Sequence, residues 1–99
     1  MAMRPDDVIE ELRRHETELR KLGIDHLYLF GSVARGDADA ASDVDLFFDH
    51  EKGSLGLFEL MDVKQRAAEI LGRPTDIMTR RSLHPRLRRE IEDSAILVF

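Results

Sequence analysis

Cysteine is absent from the 99 residues, which removes disulfides, thiolate zinc centres and cysteine nucleophiles together. A reducing cytoplasm is the compartment such a chain suits. No stretch approaches the ~20 consecutive apolar residues of a membrane span. Residues 1–16 are charged almost from the start and contain no apolar core for a secretory leader. Internal repeats, low-complexity tracts and a Pro/Gly/Ser-rich linker are also missing. The four histidines show no His-Glu-x-x-His spacing. Positive charge is in deficit: 15 Lys and Arg against 20 Asp and Glu leave a formal net charge of −5. That balance argues against direct nucleic-acid binding, which usually goes with a basic surface. It leaves either a solvated acidic surface or acids gathered to hold a cation.

What is present suits a folded protein. The chain is 42% hydrophobic and 35% charged, too apolar for disorder. Its length implies one domain over 1–99 with one modest core.

Val8, Leu12, His15, Leu19 and Leu22 recur at steps of three and four, which predicts a helix over 6–22. Asp6 and Asp7 suit its positive end and Gly23 its stop. Residues 26–30 read as a buried strand, 33–35 as one helical turn, 36–42 as a polar loop and 43–49 as a second strand. A turn around Gly53 follows. A helix over about 55–71 comes next, with Phe58, Met61, Ala68 and Leu71 near one face. A strand over 75–79, a helix from Pro85 to about 93 and a strand over 95–99 complete the order. The alternation predicts an α+β fold, a small mixed sheet with helices packed on one side. It leaves the strand order open.

The informative segment is 31–46. Gly31 and Ser32 end an apolar strand and begin a helical turn. Glycine there lets the backbone approach a phosphate, and the N–H groups and the Ser32 hydroxyl can donate to it. Asp43 and Asp45 alternate with Val44 and Leu46 on the second strand, so both carboxylates share one face. Two carboxylates so close repel unless a divalent cation lies between them, and oxygen-only ligands suit Mg²⁺ or Mn²⁺. Two such ions about 3.5–4 Å apart can stabilise both the attacking and the leaving oxygen of a phosphoryl transfer. Asp76, on the strand at 75–79, is the candidate third acid, able to accept a proton from an attacking hydroxyl. Asp49 is its rival, in phase with Asp43 and Asp45. Arg35 either touches a triphosphate or pairs with Asp37 or Asp39. Ser42 either fixes the loop or contacts the ligand. Each piece alone is weak. Together they specify about eight positions, each met by chance on the order of one time in 10–20, so coincidence is excluded for practical purposes.

Gly31-Ser32, Ala34-Arg35-Gly36, Ser42-Asp43-Val44-Asp45-Leu46 and the later Asp76 resemble the nucleotidyltransferase superfamily related to DNA polymerase beta. The nearest branch is the minimal nucleotidyltransferases, and the likeness extends over most of the chain. The resemblance implies ATP with its triphosphate at Gly31 and Ser32, and Mg²⁺ on Asp43 and Asp45 with Asp76 completing the triad. The implied reaction is AMP transfer to a hydroxyl with release of pyrophosphate. It further implies an antitoxin that adenylylates a tyrosine of a HEPN-domain ribonuclease toxin. Two other readings fit the same residues: a binding module that neutralises its partner without turnover, and a transferase for small hydroxylated molecules. A chain this short offers little to grip an acceptor, so a partner or self-association is expected to supply that surface.

Arg80, Arg81, Arg86, Arg88 and Arg89 form a basic cluster, read as a solvated face, with Arg86 and Glu90 paired across one helical turn, as a docking surface for a partner, or as a contact for RNA, which the lack of interleaved aromatics disfavours. His50 has a place near the end of the acidic strand, and Phe47 shares the face of Asp45. Tyr28 reads as a core residue.

Overall fold

Alternating apolar residues decide which way the sheet faces. The computed structural model describes residues 4–39, 41–51 and 55–99. In it β1 (Ile24–Phe30), β2 (Val44–His50), β3 (Thr75–Thr79) and β4 (Ile96–Leu97) form one sheet in the order β3-β2-β1-β4. β1 runs antiparallel to β2 and β4, and β2 runs parallel to β3. This is the mixed sheet expected. Leu27, Leu29, Val44, Leu46, Phe48 and Ile77 lie in one core. They pack there with Leu12 of α1 (Pro5–Arg14), Leu19 of α2 (Glu16–Lys21), Val33 of α3 (Gly31–Arg35), and Val63 and Ala67 of α4 (Leu57–Leu71). Ile24 pairs with His50 and His26 with Asp49, which leaves Asp25 as an extra residue. That irregularity lets Ile24 and Leu27, three apart, both reach the core.

Four expectations need correction. The helix over 6–22 breaks at His15, whose backbone leaves the helical region at φ −106, ψ 17. Its ring Nδ1 sits 3.1 Å from the Glu11 carbonyl, the acceptor an unbroken helix gives to the His15 N–H. The N–H bonds to Leu12 instead.

On α4 the expected face packs only at its far end: Leu71 meets the core, whereas Phe58 and Met61 do not. Leu57, Phe58 and Met61 are 69%, 78% and 55% exposed, while Val63 and Ala67 are buried and Leu60 and Ile70 pack beside them. This helix is apolar on two sides, and periodicity does not say which side meets a sheet.

Pro85 does not open a helix. The N–H groups of Leu87 and Arg88 both bond to the His84 carbonyl, and α5 (Arg88–Ser94) begins later, after a 3₁₀ turn at Arg80–Ser82. Arg86 therefore lies outside the helix, and no Arg86–Glu90 pair forms among the described residues. The last strand is short, but bonds from the Val98 N–H to Leu27 and from the Leu27 N–H to Phe99 extend its ladder. The turn expected around Gly53 lies outside the described residues. No described helix is long and apolar enough to cross a membrane.

Candidate active site

Antiparallel pairing puts the end of β1 beside the start of β2, so Phe30 lies opposite Asp45. Parallel pairing puts the start of β3 beside the start of β2, so Asp76 lies opposite Asp45. Three segments separate in sequence thus meet at one end of the sheet. Gly31 follows Phe30 with φ +78. A Cβ built on it would sit 3.1 Å from Asp45 Cγ and closer still to Oδ2. The Gly31 backbone therefore packs directly on the Asp45 carboxylate, and only glycine leaves that space clear. The short helix that follows closes through bonds from Asp37 N–H to the Ser32 carbonyl and from Gly36 N–H to Val33. Gly36 supplies the left-handed φ of +77 that such a helix end requires. Asp43 precedes β2, which begins at Val44 rather than at 43.

The electrostatics separate the acids. Burial raises the Asp45 carboxyl above its ordinary range; Asp76 and then Asp43 push it further, and Arg35 opposes them. Among the described residues, Asp43, Asp45 and Asp76 make no hydrogen bond or ion pair, and the Ser32 hydroxyl has no partner. Asp49, the rival third acid, is taken. It accepts from Arg80 Nε at 2.7 Å and from Arg80 Nη2 at 3.0 Å, and Arg80 also pairs with Glu92. His50 lies at the opposite end of β2 from Asp45, its Nδ1 near the Glu51 carbonyl. Arg35 pairs with Asp37 at 3.3 Å on the surface. The Ser42 hydroxyl accepts from the Asp39 N–H at 3.0 Å and reaches the Asp39 carboxylate at 3.3 Å, which makes it a loop-fixing residue.

Arg80 is the residue that sequence reasoning left among a surface cluster. Its guanidinium lies 4.9 Å from the Tyr28 ring and 5.0 Å from the Phe47 ring. Those two rings stack at 4.8 Å on the Asp45 face, so Phe47 is fully covered. A signal was available: Asp49 and Arg80 each stand four residues beyond Asp45 and Asp76.

The donors suit a hard divalent cation, because carboxylate oxygens crowd one side of the sheet and Arg35 offsets their repulsion only in part. Among the described residues no three Asp, Glu, His or Cys side chains already converge as a ready cage. The arrangement is an Asp45–Asp76 pair with Asp43 alongside.

Comparison with known proteins shows the family and the fold. Residues 12–98 match the nucleotidyltransferase domain family. The protein adenylyltransferase MntA of Thermococcus cleftensis is 34% identical over 85 residues, covering 84% of this chain and 85% of its own. A solved structure of a candidate minimal nucleotidyltransferase superposes with a TM-score of 0.72 at 35% identity, covering 89% of this chain and 93% of that one. A complex of a tri-AMPylated HEPN toxin of Shewanella oneidensis with its MNT antitoxin matches in fold, with a TM-score of 0.63 at 19% identity over 88% of this chain and 68% of that one.

Proposed function

Because the chain belongs to the nucleotidyltransferase domain family, we propose that it is a Mg²⁺-dependent protein adenylyltransferase acting on a partner toxin. The observation that carries this reading is the packing of Gly31 on Asp45 with Asp76 in register beside it. The phosphate-approach segment and the acids then serve one site. Gly31 and Ser32 bind the triphosphate of ATP through backbone N–H groups and the Ser32 hydroxyl. Asp43 and Asp45 hold Mg²⁺ or Mn²⁺, and Asp76 completes the set. A bound cation supplies Lewis-acid charge for the phosphoryl oxygens and relieves the carboxylate repulsion.

The acceptor hydroxyl oxygen forms a bond to the α-phosphorus as the bond to the pyrophosphate oxygen breaks. Its proton passes to the Asp76 carboxylate, and AMP remains on the acceptor. Arg35 adds positive charge at the mouth of the site, and Ser42 holds the loop that delivers Asp43. The acceptor is a tyrosine of a HEPN-domain ribonuclease, and the chain acts as its antitoxin. The relative with 34% identity is named a protein adenylyltransferase, and an MNT antitoxin of like fold is seen with an AMPylated HEPN toxin.

The test is incubation with α-³²P-ATP, Mg²⁺ and the product of the neighbouring gene, expected to be a HEPN protein. Label is expected on the partner's tyrosine and is expected to disappear with Asp43→Asn or Asp45→Asn. An unlabelled partner that is still silenced would favour neutralisation by binding alone.

A further inference from the structure

The face of β2 that carries Asp45 continues as a two-strand ladder with β3. Asp45 lies opposite Asp76, and Phe47 lies opposite Met78. The ladder ends at Phe48 opposite Thr79; just beyond it Arg80, the first residue of the 3₁₀ turn, pairs with Asp49 at 2.7 and 3.0 Å. One end of the strand pair therefore sets acid against acid, and the other sets acid against base. At about 3.3 Å per residue the two ends are about 13 Å apart. The first pair drives the strands apart and the second holds them together.

Arg80 is well placed to resist that push. It grips Asp49 with two parallel N–H bonds, so it fixes direction as well as distance. Its plane lies over Tyr28 of β1 and Phe47 of β2, and its third contact, Glu92, ties it to α5. The Asp49–Glu92 surroundings hold the guanidinium protonated above an arginine's ordinary range. Asp49, Glu92 and Arg80 are all about one-third exposed at the side chain, so water screens the pair only in part.

We propose that Arg80 is a positioning residue of the site: its clamp on Asp49 holds β3 in register on β2 and so sets the spacing of Asp45 and Asp76. The proposal rests on reading those two acids as the working carboxylates. Its experiment also has an arm that needs no activity.

Arg80→Met keeps the apolar cover on Tyr28 and Phe47 and removes the clamp; Arg80→Lys restores charge on a shorter grip. In Arg80→Met, with circular dichroism unchanged, the β2–β3 ladder amides of Leu46, Asp76 and Met78 should exchange about tenfold faster, as expected for losing one partly screened ion pair. The β1–β2 amides should change less. Asp76→Asn removes the repulsion, so adding it to Arg80→Met should return most of that protection. With a merely structural arginine the two changes would add, and Asp76→Asn would raise protection no more in Arg80→Met than it does alone. In transfer assays, Arg80→Met should lower kcat about tenfold with KM for ATP little changed, and Arg80→Lys should recover part of the loss.

Protection that stays at the wild-type level in Arg80→Met, or exchange that Asp76→Asn leaves untouched, overturns the clamp. Faster exchange rescued by Asp76→Asn, in a protein that transfers no AMP even as wild type, supports the clamp and overturns the enzymatic reading.

Discussion

At the scale of single residues, two glycines with nearly the same backbone angle do different work. Gly31 and Gly36 have φ of +78 and +77, so alanine strains both, by about 1 kcal/mol or somewhat more. A Cβ at Gly36 meets nothing, whereas one at Gly31 drives into Asp45. Gly36→Ala should therefore lower Tm by several degrees and leave AMP transfer nearly intact. Gly31→Ala should abolish transfer as well, which a paired melting and transfer assay resolves.

Asp45 gives a pH signature with the opposite sense to a stabilising carboxylate. Its raised pKa means that the folded state holds the proton more tightly than the unfolded state does. Its contribution to stability therefore falls as pH rises through the ordinary aspartate range to the raised value, and levels off above it. Asp45→Asn should flatten that slope in urea melts taken across the acid range. At neutral pH it should leave the fold at least as stable, while transfer falls by about 10²–10⁴. The candidate site was legible in the sequence at this scale because Gly31, Ser32, Asp43 and Asp45 were singled out by chemical type and close spacing. That Asp76 rather than Asp49 stands free was not legible. It depends on which acid meets Arg80.

At the scale of elements, strand boundaries followed the alternation closely, and helices were less faithful. β3 coincides with the expected strand, and β1 and β2 shift by one or two residues. At the break the His15 ring lies against the Glu11 carbonyl, a local feature that leaves the apolar period unchanged. On α4 both stripes satisfy the helical period, and only the sheet chooses between them. Substitution on the two sides should differ accordingly. Leu46→Ala, in the core that Val63 and Ala67 of α4 join, should cost about 2–5 kcal/mol in urea denaturation. Phe58→Ser, on the exposed stripe, should stay within about 0.5 kcal/mol.

At the scale of the whole molecule, the repulsion among Asp43, Asp45 and Asp76 connects ligand to stability. A ligand that binds only the folded state raises its stability by mass action, about 2.7 kcal/mol at a hundred times Kd. Mg²⁺ with a non-hydrolysable ATP analogue should therefore raise Tm of the wild type, and should do so far less in Asp45→Asn. An unchanged melting curve in the wild type would count against an assembled nucleotide site. The net charge of −5 belongs to the protein without such ligands, so on the proposed reading part of the acid surplus is site rather than solubility.

The sequence by itself determined the chemistry on offer. A cysteine-free, acidic chain carries a phosphate-approach glycine and paired carboxylates, because those properties depend on residue type and on neighbours a few positions away. The alternation of apolar residues likewise determined the strands and the one-sided core. The tertiary structure alone decided the strand order, the meeting of Gly31, Asp45 and Asp76 at one end of the sheet, and the pairing of Asp49 with Arg80 at the other. Asp45 and Asp76 are 31 positions apart, as are Asp49 and Arg80. Register between β2 and β3 brings the first pair together and the turn that follows β3 brings the second, and register is a property of two strands at once.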